Sequence, residues 1–154
     1  MTWPSLKPFC IGGDADPVMR RWFILPRNKV FCIYLHQMLR DDDDRALHDH
    51  PGDNVSVILR GGYNEHLFFY PPIAGERLPR TFVRRRKPGR IIYRKAEMPH
   101  RLTLPEGATS AWSLFIVWRK RREWGFWCGP SARWVPWQEF RTGDRGELAG
   151  KGCG

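Results

Sequence analysis

The chain has 154 residues, 42% hydrophobic and 14% aromatic, which suits one domain with one packed core. No apolar run approaches the ~20 residues of a membrane helix, which excludes a protein held in a bilayer by helices. The opening MTWPSLKPFC lacks the basic-then-apolar order of a secretory leader, so a cytoplasmic protein with no membrane partner is expected.

Residues 1–28 are interrupted by Pro4, Pro8, Pro17 and Pro26 and read as an irregular arm. A short helix is predicted within it from Asp16 to Trp22, with Pro17 in its first turn. From residue 29 onward the pattern is that of strands. Residues 30–38 are rich in β-branched and aromatic side chains, 41–44 form an acidic turn, and 55–59 stop at Gly61-Gly62 before 63–70 resume. That is a hairpin signal. After a loop at Pro71-Pro72 and Ala74-Gly75, short strands are predicted over 81–86, 89–94 and 101–104, and the apolar 112–118 is predicted to be central. A Trp-rich tail gives segments at 124–127, 134–135 and 137–140, and the Gly-rich 143–154 reads as flexible. Many short strands with turns between them point to an all-β sandwich or barrel.

The four cysteines form no CxxC pair. Cys32 reads as buried apolar filling and Cys153 as a tail residue, while Cys10 and Cys128 have no assigned role. The net charge of +10 is lopsided: residues 1–75 carry 8 basic and 9 acidic side chains, residues 76–154 carry 18 and 7. Such a basic half suits a nucleic acid or an acidic small molecule, or is a solvated surface.

The histidines carry the chemistry. His48 and His50 are two apart, so on one strand both imidazoles face the same side. Imidazole is the commonest nitrogen donor to Zn, Fe, Ni and Cu. His48-Asp49-His50 leads into the strand at 55–59 and the Gly61-Gly62 turn; later comes Gly89, then Pro99-His100. This arrangement resembles the two motifs of the cupin superfamily: His-x-His with a following glycine, then a glycine, a proline turn and a histidine. The resemblance covers roughly residues 30–118. One position departs from it, because Asn54 and Val55 stand where the first motif has a carboxylate. The tail segments 122–127 and 134–137 are similar to those of small phage and bacterial cupins.

The resemblance implies a jelly-roll β-barrel (a double-stranded β-helix) over 29–118, with an extension over 119–142 packed outside it. Its mouth would hold a divalent metal (Fe, Mn, Ni or Zn) on His48, His50 and His100. Three neutral ligands leave the ion's charge uncompensated and open positions beside it, which favours a small anionic substrate. Among cupins this donor set is that of thiol dioxygenases, so a metal-dependent, dioxygenase-type enzyme is expected. Asn54, Glu65 and Glu97 are candidates for a fourth ligand or a hydrogen-bond partner of the ligands, Glu65 equally for an ion pair across the sheet. Arg60, Tyr63, Tyr93 and Arg94 are candidates for substrate binding, and no catalytic residue is assigned. His36 and His66 read as ordinary strand residues.

Two rival readings stand beside this one. A metal-free isomerase or epimerase of sugar-nucleotide type, or a small-anion binding module, would use His48 or His100 with Asp49 or Asp53, and Tyr63 or Tyr93. A nucleic-acid-binding protein would use the basic runs 84–87 and 119–122. The tail, or the sheets as in other cupins, would serve a homodimer contact.

Overall fold

Side-chain alternation with a period of two builds nearly the whole molecule. In the computed structural model, residues 7–25, 28–42, 46–68, 81–129, 133–143 and 148–154 are described. They form β1 (Phe9–Ile11), β2 (Met19–Leu25), β3 (Phe31–Met38), β4 (Ala46–His48), β5 (Asn54–Arg60), β6 (Tyr63–Phe68) and β7 (Thr81–Arg86). These are followed by β8 (Ile91–Arg94), β9 (His100–Thr103), β10 (Ala111–Trp118), β11 (Gly125–Cys128), β12 (Arg133–Pro136), the one-turn helix α1 (Trp137–Phe140), β13 (Arg141–Thr142) and β14 (Leu148–Ala149).

Two six-stranded antiparallel sheets result, in the orders β1-β2-β3-β10-β5-β8 and β12-β11-β4-β9-β6-β7. The all-β jelly-roll expectation holds, with one correction: the ladders stay two separate sheets and do not close into a barrel. The apolar strand expected to be central is β10, which lies between β3 and β5. At the β5–β6 hairpin both Gly61 (φ 74°) and Gly62 (φ 76°) take the left-handed conformation. A Cβ on Gly62 would stand 2.2 Å from the Arg86 carbonyl oxygen, so the turn requires glycine there.

Three expectations are corrected. The helix from Asp16 to Trp22 does not form, because Met19, Arg21 and Phe23 face inward opposite Met38, His36 and Tyr34 while Trp22 lies opposite Leu35. That is strand parity, and pairing with β3 outweighs the proline signal. The segment at 137–140 is helical, with Phe140 fully buried and stacked on Phe126 at 3.8 Å. Finally, the C-terminal residues are anchored: Gly150 N–H donates to Phe140 O, Lys151 N–H to Glu139 O, and Cys153 is disulfide-bonded to Cys128. Cys10 and Cys32 are free and buried.

Candidate metal centre

Between the sheets lies a cavity of about 480 Å³, within the size range of small-molecule sites. One wall carries the three histidines. His48 ends β4 and pairs in register with His100, the first residue of β9. His50 lies past the end of β4, held by its backbone N–H on Ala96 O at 3.0 Å. The expected two-residue repeat on one strand is therefore only half of the arrangement; the other half is the turn after Asp49.

The three rings converge. Their centroids are 5.2 Å (His48–His50), 4.6 Å (His48–His100) and 5.0 Å (His50–His100) apart. One nitrogen of each lies within 4.8 Å of the others. The Nε2 atoms of His50 and His100 are 2.8 Å apart. Two nitrogens each ~2.1 Å from one ion and at right angles to each other would be ~3 Å apart, so the pair needs little movement to share a metal. The donor set fits a divalent transition ion.

Carboxylates behind the rings orient them. His100 Nδ1 donates to Glu65 Oε1 at 2.8 Å, which leaves its Nε2 lone pair for the centre. His48 Nδ1 stands 3.5 Å from Asp42 Oδ2, and that oxygen also accepts the Leu102 N–H at 2.8 Å. Glu65 is fully buried, and its other partners are Arg94 Nε at 2.5 Å and Arg86 Nε at 2.6 Å. Burial alone would raise the Glu65 carboxyl, but the His100 hydrogen bond and the Arg94 charge outweigh it and hold it well below the usual carboxylate range. Burial also drives His100 down to about 3 against the opposing pull of Glu65. His50 is lowered well below its ordinary value by burial and by the neighbouring His100 and His48. Neutral, ligand-ready imidazoles are the consequence.

The remaining candidates separate by strand parity. Tyr63 and Arg94 line the cavity, and Arg94 Nη2 donates to Tyr63 Oη at 3.2 Å. Tyr93, one residue from Arg94, points outward and donates to Asp53 Oδ2 at 3.1 Å. Arg60 is exposed, because a register shift in β10 between Trp112 and Ser113 pairs it with outward-facing Trp112. Both therefore lie off the cavity wall. Asn54 is buried and inward, but it is not among the cavity-lining residues, and its Oδ1 has no partner. Glu97 is exposed and paired with Arg121 at 2.7 Å, away from the histidines. Glu65 stands behind His100 and not in the three-histidine group, which makes it a partner of a ligand. His66, half-buried, bonds Thr103 Oγ1 at 3.0 Å.

Sequence reasoning missed Asp42, gave Asp49 only an acid–base role in the metal-free reading, and underrated one histidine. Asp42 is one of four consecutive aspartates, and nothing in the sequence singles it out. Asp49, fully buried between the two histidines, accepts from Gly125 N (2.8 Å), Trp127 Nε1 (2.9 Å), Trp134 Nε1 (3.0 Å) and Arg122 Nη1 (2.6 Å). It fastens the Trp-rich extension to the end of β4, and Trp124, Phe126 and Trp137 of that extension line the cavity. His36 lines the wall too, accepting from Arg21 Nε at 2.9 Å, while the Arg21 guanidinium lies 4.7 Å over the Tyr34 ring.

No family model and no curated relative matches the chain. Solved structures do. Fe(II)-HppE with the alternative substrate (S)-1-HPP superposes with a TM-score of 0.51 at 16% identity, over 71% of this chain and 55% of that one. KdgF from Halomonas sp. gives 0.49 at 16% identity over 71% and 87%, and the DMSP lyase DddQ from Ruegeria pomeroyi DSS-3 gives 0.49 at 16% over 68% and 48%. The chain spans about half the length of DddQ and of HppE. At this identity the likeness is one of fold.

Proposed function

We propose that the chain is a metal-binding cupin, and that it is an enzyme acting on a small anionic substrate in the cavity between its sheets. The observation that carries this reading is the convergence of His48, His50 and His100, with Glu65 hydrogen-bonded to one ring and Asp42 beside another. These three imidazoles would hold one divalent ion, Fe, Mn, Ni or Zn, and a bound ion would supply Lewis acidity or an oxygen-activating centre.

The chain's own residues do the rest. Glu65 keeps His100 in one tautomer and is itself anchored by two arginines. Arg21 and Arg141 on the cavity wall present guanidinium groups suited to a carboxylate, phosphate or phosphonate. Phe115, Phe126, Trp124 and Trp137 give the cavity apolar surface that limits water. With no carboxylate in the ligand group, dioxygenase-type oxidation is the leading reaction class. The structural neighbour Fe(II)-HppE is consistent with metal chemistry on this fold without specifying it.

The metal-free alternative draws on one specific observation, the buried His100–Glu65 pair with Tyr63 on the same cavity. Elemental analysis of protein purified without chelator or metal-affinity tag separates the two. About one equivalent of a divalent transition metal, lost in His48→Ala and His100→Ala with the fold retained, is expected. A metal-free, active protein would leave the acid–base reading. The nucleic-acid reading meets basic runs partly engaged within the molecule: Arg86 with Glu65, Arg121 with Asp53 and Glu97, Arg122 with Asp49.

A further inference from the structure

The cavity offers a bound molecule many rings and few uncommitted hydrogen-bonding groups. Phe115 of β10 lies 5.4 Å from His50 between ring centroids, and Phe126 of β11 lies 6.4 Å from His48. One aromatic ring from each sheet therefore flanks the three histidines. From Phe115 the band runs on to Tyr34, stacked at 6.3 Å. From Phe126 it runs to Trp124 at 5.8 Å, and Trp137 stacks on Trp124 at 5.7 Å. All five rings line the cavity, and Met38, Leu102 and Val117 add aliphatic surface.

The polar side chains of the same wall are engaged with the protein itself. Ser56 Oγ accepts from Arg94 Nη1 at 2.9 Å, Tyr63 Oη accepts from Arg94 Nη2 at 3.2 Å, and Arg94 Nε is held by buried Glu65. Asp49 accepts from four donors, Asp42 Oδ2 accepts the Leu102 N–H, and His36 Nε2 accepts from Arg21 Nε. Ser113 brings one further hydroxyl. A sugar carries a hydroxyl on almost every carbon, and each one buried without a partner costs free energy that burial of its carbon skeleton does not return.

We infer that the substrate of this cavity is an acid with an apolar, ring-bearing body, of the arylalkanoate type, and not a sugar acid or another polyol. The inference rests on the reading of this cavity as the substrate site of a metal-binding protein, and names what that site selects. The acid group would face the three histidines, where neutral ligands leave a divalent ion's charge to favour an anion. The ring would lie along the aromatic band, where offset or edge-to-face contacts add to the gain from burial. Selection works by exclusion too, since the wall's own hydrogen bonds are already made and leave a polyol unpartnered. A volume of about 480 Å³ accommodates a single-ring acid.

Calorimetric titration of the zinc-loaded full chain with 3-phenylpropionate and with glucuronate tests it. The two acids carry the same charge, so the ratio of their dissociation constants reports on the body alone. A preference of ~30-fold or more for 3-phenylpropionate is expected. Phe115→Leu and Trp124→Leu each remove one ring from the band and should narrow that preference ~5-fold. If Phe115→Leu fails to fold, Trp124→Leu decides alone. A chain that takes up no zinc yet prefers 3-phenylpropionate contradicts the metal reading and leaves this inference standing. A zinc-loaded chain that binds glucuronate equally well, or binds neither acid at millimolar concentration, overturns the inference and leaves the metal reading standing. A preference unchanged in every folded variant overturns it as well.

Discussion

Glu65 and His100 are joined by a 2.8 Å hydrogen bond, and Arg94 closes on the same carboxylate oxygen from the other side. The pair fixes a ring nitrogen at the centre by means of a carboxylate that lies behind the cavity wall. Glu65→Gln keeps the shape and removes the charge. It should weaken metal affinity 10- to 100-fold, read by competition with a chromophoric chelator. It should also destabilise the fold by about 3 kcal/mol, because Arg94 stays buried with its charge uncompensated. Wild-type affinity in this variant would make Glu65 purely structural.

Asp49 stands between His48 and His50 in the chain and joins them to the extension they lean on. Asp49→Ala removes one acceptor from four donors, including the buried Gly125 N–H. A loss of about 3 kcal/mol in urea unfolding is expected. Amide exchange should quicken over 124–136 more than over β3 and β10. Uniform acceleration across both sheets would mean that Asp49 does not fasten the extension in particular.

How much of this was legible in the sequence follows from which interactions are local. The strands at 31–38 and 111–118 announce themselves because a run of β-branched, aromatic and other apolar side chains is a property of neighbouring residues. His48 and His100 can be singled out in the sequence because each sits in a short local motif. The parity of Arg60 is not fixed by the sequence because a bulge intervenes: it follows buried Ile58 by two residues, yet the extra residue Leu59, opposite the Trp112/Ser113 step, turns it outward. Asp42 and the Cys128–Cys153 bond were invisible because each depends on a partner that the fold brings from far along the chain.

That disulfide closes a sequence separation of 25 residues and ties the last residues to β11. Such bonds are worth ~3 kcal/mol and persist in oxidising surroundings. Thiol titration of the denatured, unreduced protein should find two reactive groups, Cys10 and Cys32. Cys153→Ser should lower the melting temperature by several degrees. Four titratable thiols in freshly purified protein would place the bond outside the native state.

Acid should destabilise the metal-free protein early. His36 is lowered well below its ordinary value by burial and by Arg21, as His50 is by burial and its histidine neighbours, and His100 falls to about 3 chiefly through burial. A group whose folded value is depressed contributes stability above its unfolded value of ~6.5, and loses it as pH falls toward the folded value. Each of the three should therefore cost on the order of 1 kcal/mol by about pH 5.5. The urea midpoint should fall steadily from about pH 7 downward. A flat midpoint across that interval would mean that these rings are already charged in the folded protein.

X-ray absorption at the metal edge of the loaded protein reads the centre itself. Three imidazole nitrogens at ~2.1 Å are expected in the wild type, and no metal edge above background in His100→Ala. A first shell with fewer than three imidazoles, or one containing sulfur, would contradict a site built on His48, His50 and His100.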